Sequence, residues 1–207
     1  VTRSRDRRGD AGRLPLIGGH LALDFANTAG WHAGPARLEH LTDYGELVGW
    51  ARHAGTISAS EATALAREAE EDPRGAARTL ERVIALREVV YRILAAIAAR
   101  RTPTAGDLAG LHEARVRSLR AARPEWRDGL ALRWGAKPVD LLRPIHPVVI
   151  AAGTLLESEP LARLRQCGNH PCGWLFLDRS RNGTRRWCSS DDCGNLTRVR
   201  RFRDRRA

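Results

Sequence analysis

Apolar and polar positions divide this chain into helical stretches up to about residue 160 and a cysteine-marked texture beyond it. The clearest period runs through Val83, Leu86, Val90, Ile93 and Ile97, which step by three or four and predict one core-facing stripe on a long helix. Asp72-Pro73 suits its first turn, and Thr102-Pro103 stops it. Upstream, Leu47, Val48 and Trp50 give residues 43–53 a helical pattern, with Gly55 as its C-cap. Ser58 followed by Glu61 has the form of a capping box opening another helix. Asp107 to about Ala122 carries Leu108, Leu111 and Leu119 on a further helix. In WRDGLALRW, Leu130 and Leu132 alternate with Ala131 and Arg133, which predicts a strand or small hairpin. Pro144 and Pro147 introduce VVIAAGTLL, a last helix before Glu159-Pro160. GGHLALDFANT keeps two readings: Leu21, Leu23 and Phe25 alternate as in a strand, but the run also suits a helical turn.

Three parts follow. Residues 1–13 contain Arg3, Arg5, Arg7, Arg8 and Arg13 among glycines and predict a disordered basic arm. Residues 14–160 form a mainly α domain with a small β element, and 161–207 a separate module. No run approaches about 18 apolar residues, and the charged start VTRSRDRRGD precedes no apolar signal region, so a soluble cytoplasmic protein without membrane association is expected.

Charge changes the picture of the last part. The formal net charge is +11 with 35 basic residues, all arginine except Lys137. A high-GC coding sequence accounts for much of that imbalance, but not for its clustering. Residues 161–207 hold 12 arginines against Asp178, Asp191, Asp192 and Asp204, a formal +8. All four cysteines of the chain lie here, as C-x4-C-x15-C-x4-C at Cys167, Cys172, Cys188 and Cys193. Two close pairs separated by a loop suit a tetrahedral structural Zn2+ with all four positions filled by sulfur. Asn182-Gly183 predicts a turn between two short extended runs, hence a β-hairpin linking the pairs, with Arg179, Ser180, Arg181, Asn182, Arg185 and Arg186 at its tip. Ser189 with Asp192 can cap a following helix, whose Leu196, Val199 and Phe202 form a seam able to dock on the hairpin or the main domain. Arg198, Arg200, Arg201 and Arg203 cover its other faces. Guanidinium groups so displayed point to nucleic acid, with double-stranded DNA as the expected partner.

The stretch CGNHPCGWLFLDRSRNGTRRWCSSDDCGN closely resembles the CGNR zinc finger, through Asn169, Cys172-Gly173-Trp174, Phe176, Asp178, Ser180-Arg181-Asn182, Arg186-Trp187-Cys188 and Cys193-Gly194-Asn195. The arginine that follows Cys-Gly-Asn in that family is Leu196 here, so a phosphate contact at that point would pass to neighbours such as Arg198. LALDFANT resembles the opening of the ABATE domain that usually precedes this finger, and PVVIAAGTLLESEPLARLRQC resembles its closing helix and junction. The resemblance implies a treble-clef-like zinc module of β-hairpin and basic helix, one structural Zn2+, and a bacterial regulator coupling a ligand-sensing helical domain to DNA.

Two polar groups in the front domain are candidates for a small-molecule effector: Asp24, Asn27, Thr28, Trp31 and His32, and Arg143 with His146. Their structural alternatives are helix capping for Asp24 and Asn27 and a buried, hydrogen-bonded histidine for His146. No nucleophile elbow, phosphate loop or metalloprotease motif is present, so catalysis is not expected. The leading expectation is a zinc-containing DNA-binding transcriptional regulator, with homodimerisation left open. The alternative is a small-molecule-binding protein or enzyme whose finger is structural or binds protein or RNA.

Overall fold

The computed structural model describes residues 9–35, 37–126, 128–135 and 139–204, without the side chains of residues 159, 160 and 201. Seven helices and three two-stranded antiparallel sheets make up this described part. No helix in it is long and apolar enough to cross a membrane.

LALDFA is helical: α1 spans Leu21–Ala26, capped by a His20 ring nitrogen that accepts from Ala22 N at 3.3 Å. The strand-like alternation misleads because two of the three alternating partners are alanines, and Ala22 and Ala26 are as buried as Leu23 and Phe25. A short pair, β1 (Ala29–Gly30) and β2 (Leu38–Glu39), follows. Helix α2 (Tyr44–His53) is capped by Asp43, and Gly55 beyond its end has φ of 73°. Ser58 and Glu61 form the full capping box of α3 (Ala59–Glu71). Helix α4 (Pro73–Ala98) begins at the Asp72 cap and runs 26 residues, roughly 39 Å. Val83, Val90 and Ile93 of its stripe are buried, while Leu86 and Ile97 pack against the core part-exposed. Helix α5 (Ala105–Arg120) buries Leu111 and leaves Leu108 and Leu119 exposed. The hairpin β3 (Ala122–Trp126) and β4 (Leu130–Trp134) precedes α6 (His146–Leu156), whose apolar run packs on α1 and α5.

Of the predicted N-terminal arm, residues 1–8 lie outside the described residues, but 9–13 are docked rather than disordered. Ala11 is fully buried in a short helical turn, and the backbone N–H groups of Asp10 and Ala11 donate to the Glu46 carboxylate at 3.0 and 2.7 Å.

After α6 the chain enters β5 (Leu164–Gln166), which pairs with β6 (Leu175–Leu177). All three residues of β6 are at most 4% exposed, so this strand is covered on both faces. Helix α1 and α4 supply much of that cover. The hydrophobic core therefore runs without a break from the helical domain into the cysteine-bearing region.

Candidate metal centre

The four cysteine sulfurs lie within 4.8 Å of one another, all buried. Cys172 and Cys188 are 3.7 Å apart at Sγ, and Cys188 and Cys193 3.6 Å. A regular tetrahedron with Zn–S of about 2.3 Å has edges of about 3.8 Å, so the donor set fits a closed zinc site. These separations are far beyond a disulfide bond of about 2.05 Å. Two N–H groups point at the sulfurs, as a cluster of thiolates requires: Cys188 N to Cys167 Sγ at 3.4 Å, and Asn169 Nδ2 to Cys193 Sγ at 3.2 Å.

Each ligand is positioned by its neighbours. The turn between β5 and β6 carries Cys167 and Cys172, and Gly173 closes it with φ of 72°. A Cβ there would lie 2.8 Å from Ala33 N, so backbone packing also demands glycine. Cys193 sits in a π turn, Ser190–Gly194, that leads into α7 (Asn195–Asp204); Ser189 caps this turn by accepting from Asp192 N.

Two details of the expected finger need correction. Asn182-Gly183 does make a turn, with Gly183 at φ of 64°, but no strand follows it among the described residues: β6 pairs backwards with β5. The intervening loop is instead gathered around the buried Asp178 carboxylate, which accepts from Ser180 Oγ at 2.6 Å, Ser180 N at 2.9 Å and Arg185 N at 2.9 Å. The Ser180 hydroxyl in particular keeps Asp178 below the usual carboxylate range. Secondly, the seam on α7 is not covered over: Leu196 and Val199 are 42% and 41% exposed.

The ten residues expected to meet nucleic acid fall into two sets. Several are engaged within the protein. Arg185 lies 4.2 Å from the centre of the Phe176 ring and donates to Trp187 O and Cys188 O, and Arg179 donates to Gly19 O at 2.7 Å. Arg198 donates to Gly194 O and Ser190 O, while Arg200 donates to His170 O at 2.8 Å. Ser180 belongs to the Asp178 loop. By contrast Arg181, Asn182, Arg186 and Arg203 are exposed, and among the described residues the three arginines form no ion pair, although the Arg186 guanidinium lies 5.9 Å from the centre of the Trp187 ring. The Arg201 side chain lies outside the described part.

The front-domain candidates do not share one cavity. The Asn27 carboxamide is buried and grips β6 twice: Oδ1 accepts from Leu175 N at 2.8 Å, and Nδ2 donates to Leu175 O at 2.9 Å. Thr28 donates to Phe25 O at 2.7 Å. Trp31, at φ of 57°, borders a cavity of about 280 Å³ beside Cys172, Cys193, Leu196 and Arg200, whereas His32 stacks on Tyr91 and borders another. His146 is buried with both nitrogens bonded, Nδ1 to Ser118 Oγ at 3.0 Å and Nε2 to Asp140 Oδ2 at 2.7 Å. Arg143 pairs with Glu61 at 2.7 Å and donates to Thr56 O. Further bonds fasten the finger to the helices. Trp174 Nε1 donates to Ala29 O at 3.0 Å, and Tyr91 OH donates to Gly173 O at 2.9 Å. Neither tryptophan nor tyrosine stood out in the sequence as a junction, since both partners are backbone carbonyls.

Asp24 accepts from Gly18 N at 2.8 Å, and burial pushes its carboxyl up to about 6. The folded state thus holds a proton that the unfolded chain releases near pH 4. Stability from this group is complete below about pH 4 and is lost as pH rises through about 6. Asp24→Asn keeps the acceptor without the charge. In denaturant titrations it should match the wild type at pH 4 and exceed it by about 3 kcal/mol at pH 7. A difference that does not change with pH would contradict this role.

Residues 163–206 match the CGNR zinc finger. Residues 19–159 match ABATE, described as a "Putative stress-induced transcription regulator". No curated protein matches the chain. Fold and site define a zinc-finger protein with a helical domain of regulator type. The chain belongs to the ABATE family, with a CGNR zinc finger at its C-terminal end.

Proposed function

We propose that this protein is a transcriptional regulator that binds duplex DNA through its zinc-held basic surface, and that the helical domain passes a signal to that surface. The observation that carries the reading is the asymmetry of charge in the finger. Its one buried carboxylate, Asp178, is consumed by the loop it organises, whereas Arg181, Arg186 and Arg203 face solvent without an ion pair among the described residues. Guanidinium groups in that state are suited to phosphate contacts, and α7 is the element available to approach a groove. Four sulfurs fill a tetrahedral shell, so we assign the metal no catalytic step. The direct bonds from Asn27 and Tyr91 to the finger give the helical domain a physical route to it.

Zinc-loaded protein should bind mixed-sequence duplex in fluorescence anisotropy, with affinity falling steeply between about 50 and 200 mM salt as counterions are released. Replacing Arg181, Arg186 and Arg203 together by alanine should lower the log-log salt slope by roughly 2 to 3. Negligible duplex affinity at about 50 mM salt would sink the proposal, and preference for structured RNA in competition would redirect it.

A further inference from the structure

The two faces of the hairpin formed by β3 and β4 are unlike. Its register sets Ala122 opposite Trp134, Pro124 opposite Leu132 and Trp126 opposite Leu130, and residues paired in this way share a face. One face is therefore apolar along its whole length, while Arg123, Glu125, Ala131 and Arg133 occupy the other. The base of the apolar face rests on the helical domain. Trp134 Nε1 donates to Ser118 O of α5 at 2.9 Å, and its ring stacks on His146 of α6 with centres 5.6 Å apart. The tip of the same face is left bare: Trp126 is 81% exposed and Leu130 72%, more than any other large apolar side chain among the described residues.

A two-stranded sheet is marginal in water and gains stability when its apolar face is covered. The residues of this chain outside the described part offer no such cover. Residues 1–8, 36, 127, 136–138 and 205–207 are charged, polar or alanine, apart from Val1 and Pro138. Charge then favours a second copy. Residues 122–134 carry Arg123, Arg127 and Arg133 against Glu125 and Asp128, a formal +1, whereas residues 161–207 carry +8. Two chains of net charge +11 repel least where they meet through this arm. The arm is also set apart from the basic module, since it packs on α5 and α6, whereas β5 and β6 pack on α1 and α4. Area sets the strength of the contact. A tryptophan buries about 150–250 Å², so Trp126 from two copies supplies roughly 300–500 Å². With Leu130, Leu132 and Pro124 added, the contact lies near or below the lower end of the roughly 1,200–2,000 Å² of a standard interface.

We propose that this protein forms a two-fold homodimer through the tips of these hairpins, with Trp126 of each copy packing on Leu130 of the other. Two-fold symmetry lets one small patch cover itself. Because the contact is apolar and modest in area, the dimer dissociates in the roughly micromolar range and tightens with salt, which screens the repulsion between the two chains. Both basic modules stay free, and on the DNA-binding reading the pair suits two half-sites on one duplex.

Sedimentation equilibrium of the zinc-loaded full chain, freed of nucleic acid, is measured from about 1 to 200 µM protein at about 0.1 and 0.5 M salt. A monomer–dimer equilibrium should appear at both and move toward dimer at the higher salt. Trp126→Ser combined with Leu130→Ser, both exposed and outside the core, should raise the dissociation constant at least about thirtyfold and keep the wild-type thermal transition. Leu196→Ser combined with Val199→Ser, on the exposed row of α7, should leave the equilibrium unchanged. A wild type still monomeric at about 200 µM overturns the inference and leaves the face to a different protein. So does a hairpin variant that dimerises like the wild type, an α7 variant that is the one to dissociate, or a dimer dissolved by salt. No arm contains DNA, so failure of the DNA-binding reading would register separately.

Discussion

Ending the chain after residue 160 should leave a polypeptide that does not fold. The cut removes Leu164, Trp174, Leu175, Phe176 and Leu177, each at most 4% exposed in the shared core. Losing one large buried side chain costs about 2–5 kcal/mol, so five cost about 10–25 kcal/mol, as much as or more than the roughly 5–15 kcal/mol that stabilises a typical domain. The cut also strands the Asn27 carboxamide and the indole-binding carbonyl of Ala29, both buried and both bonded across the junction. Circular dichroism of the truncated chain should show reduced helicity and no cooperative thermal transition. A sharp transition with native helical content would mean that residues 14–160 fold alone. The finger's part in any activity is therefore better probed with exposed substitutions such as Arg186→Ala than by deletion.

Removal of zinc should have an effect of similar size. Structural zinc contributes about 10–16 kcal/mol of apparent free energy in isolated finger peptides. Here the ligands are buried in the same core as α1 and α4, so the loss cannot stay local. Chelation, or Cys193→Ser, should abolish the native transition of the whole chain in calorimetry and should expose Trp50, fully buried in the helical domain, to fluorescence quenchers. If the helical domain keeps its transition within about 2 °C after zinc is removed, the two parts are thermodynamically separate.

Element ends were legible because they rest on local chemistry. Asp72-Pro73, the Ser58–Glu61 box and Gly55 each act within one turn and stand where their residue types require. The metal ligands were equally legible, since spacing and thiol chemistry suffice. What escaped is non-local. A polar Asn27 looks alike in sequence whether it lines a cavity or grips a strand 148 residues away. Asn182-Gly183 correctly marked a turn but could not reveal that Asp178 claims the loop, or that Leu164–Gln166, a segment without strand-like alternation, is the true partner of β6. The three-residue period of Leu196, Val199 and Phe202 defines a face, but a period contains no information about whether anything packs on it.

Fusion of the zinc finger with the helical domain into one cooperative unit is tested most directly by native-state hydrogen exchange with and without zinc. The probes are Leu175 N–H, bonded to Asn27 Oδ1 at 2.8 Å, and the N–H of Val90, buried in the middle of α4. Both should exchange at the same slow, globally limited rate in the zinc-loaded protein, and both should lose protection together when the metal is chelated. Retained protection at Val90 after Leu175 has become unprotected would contradict it.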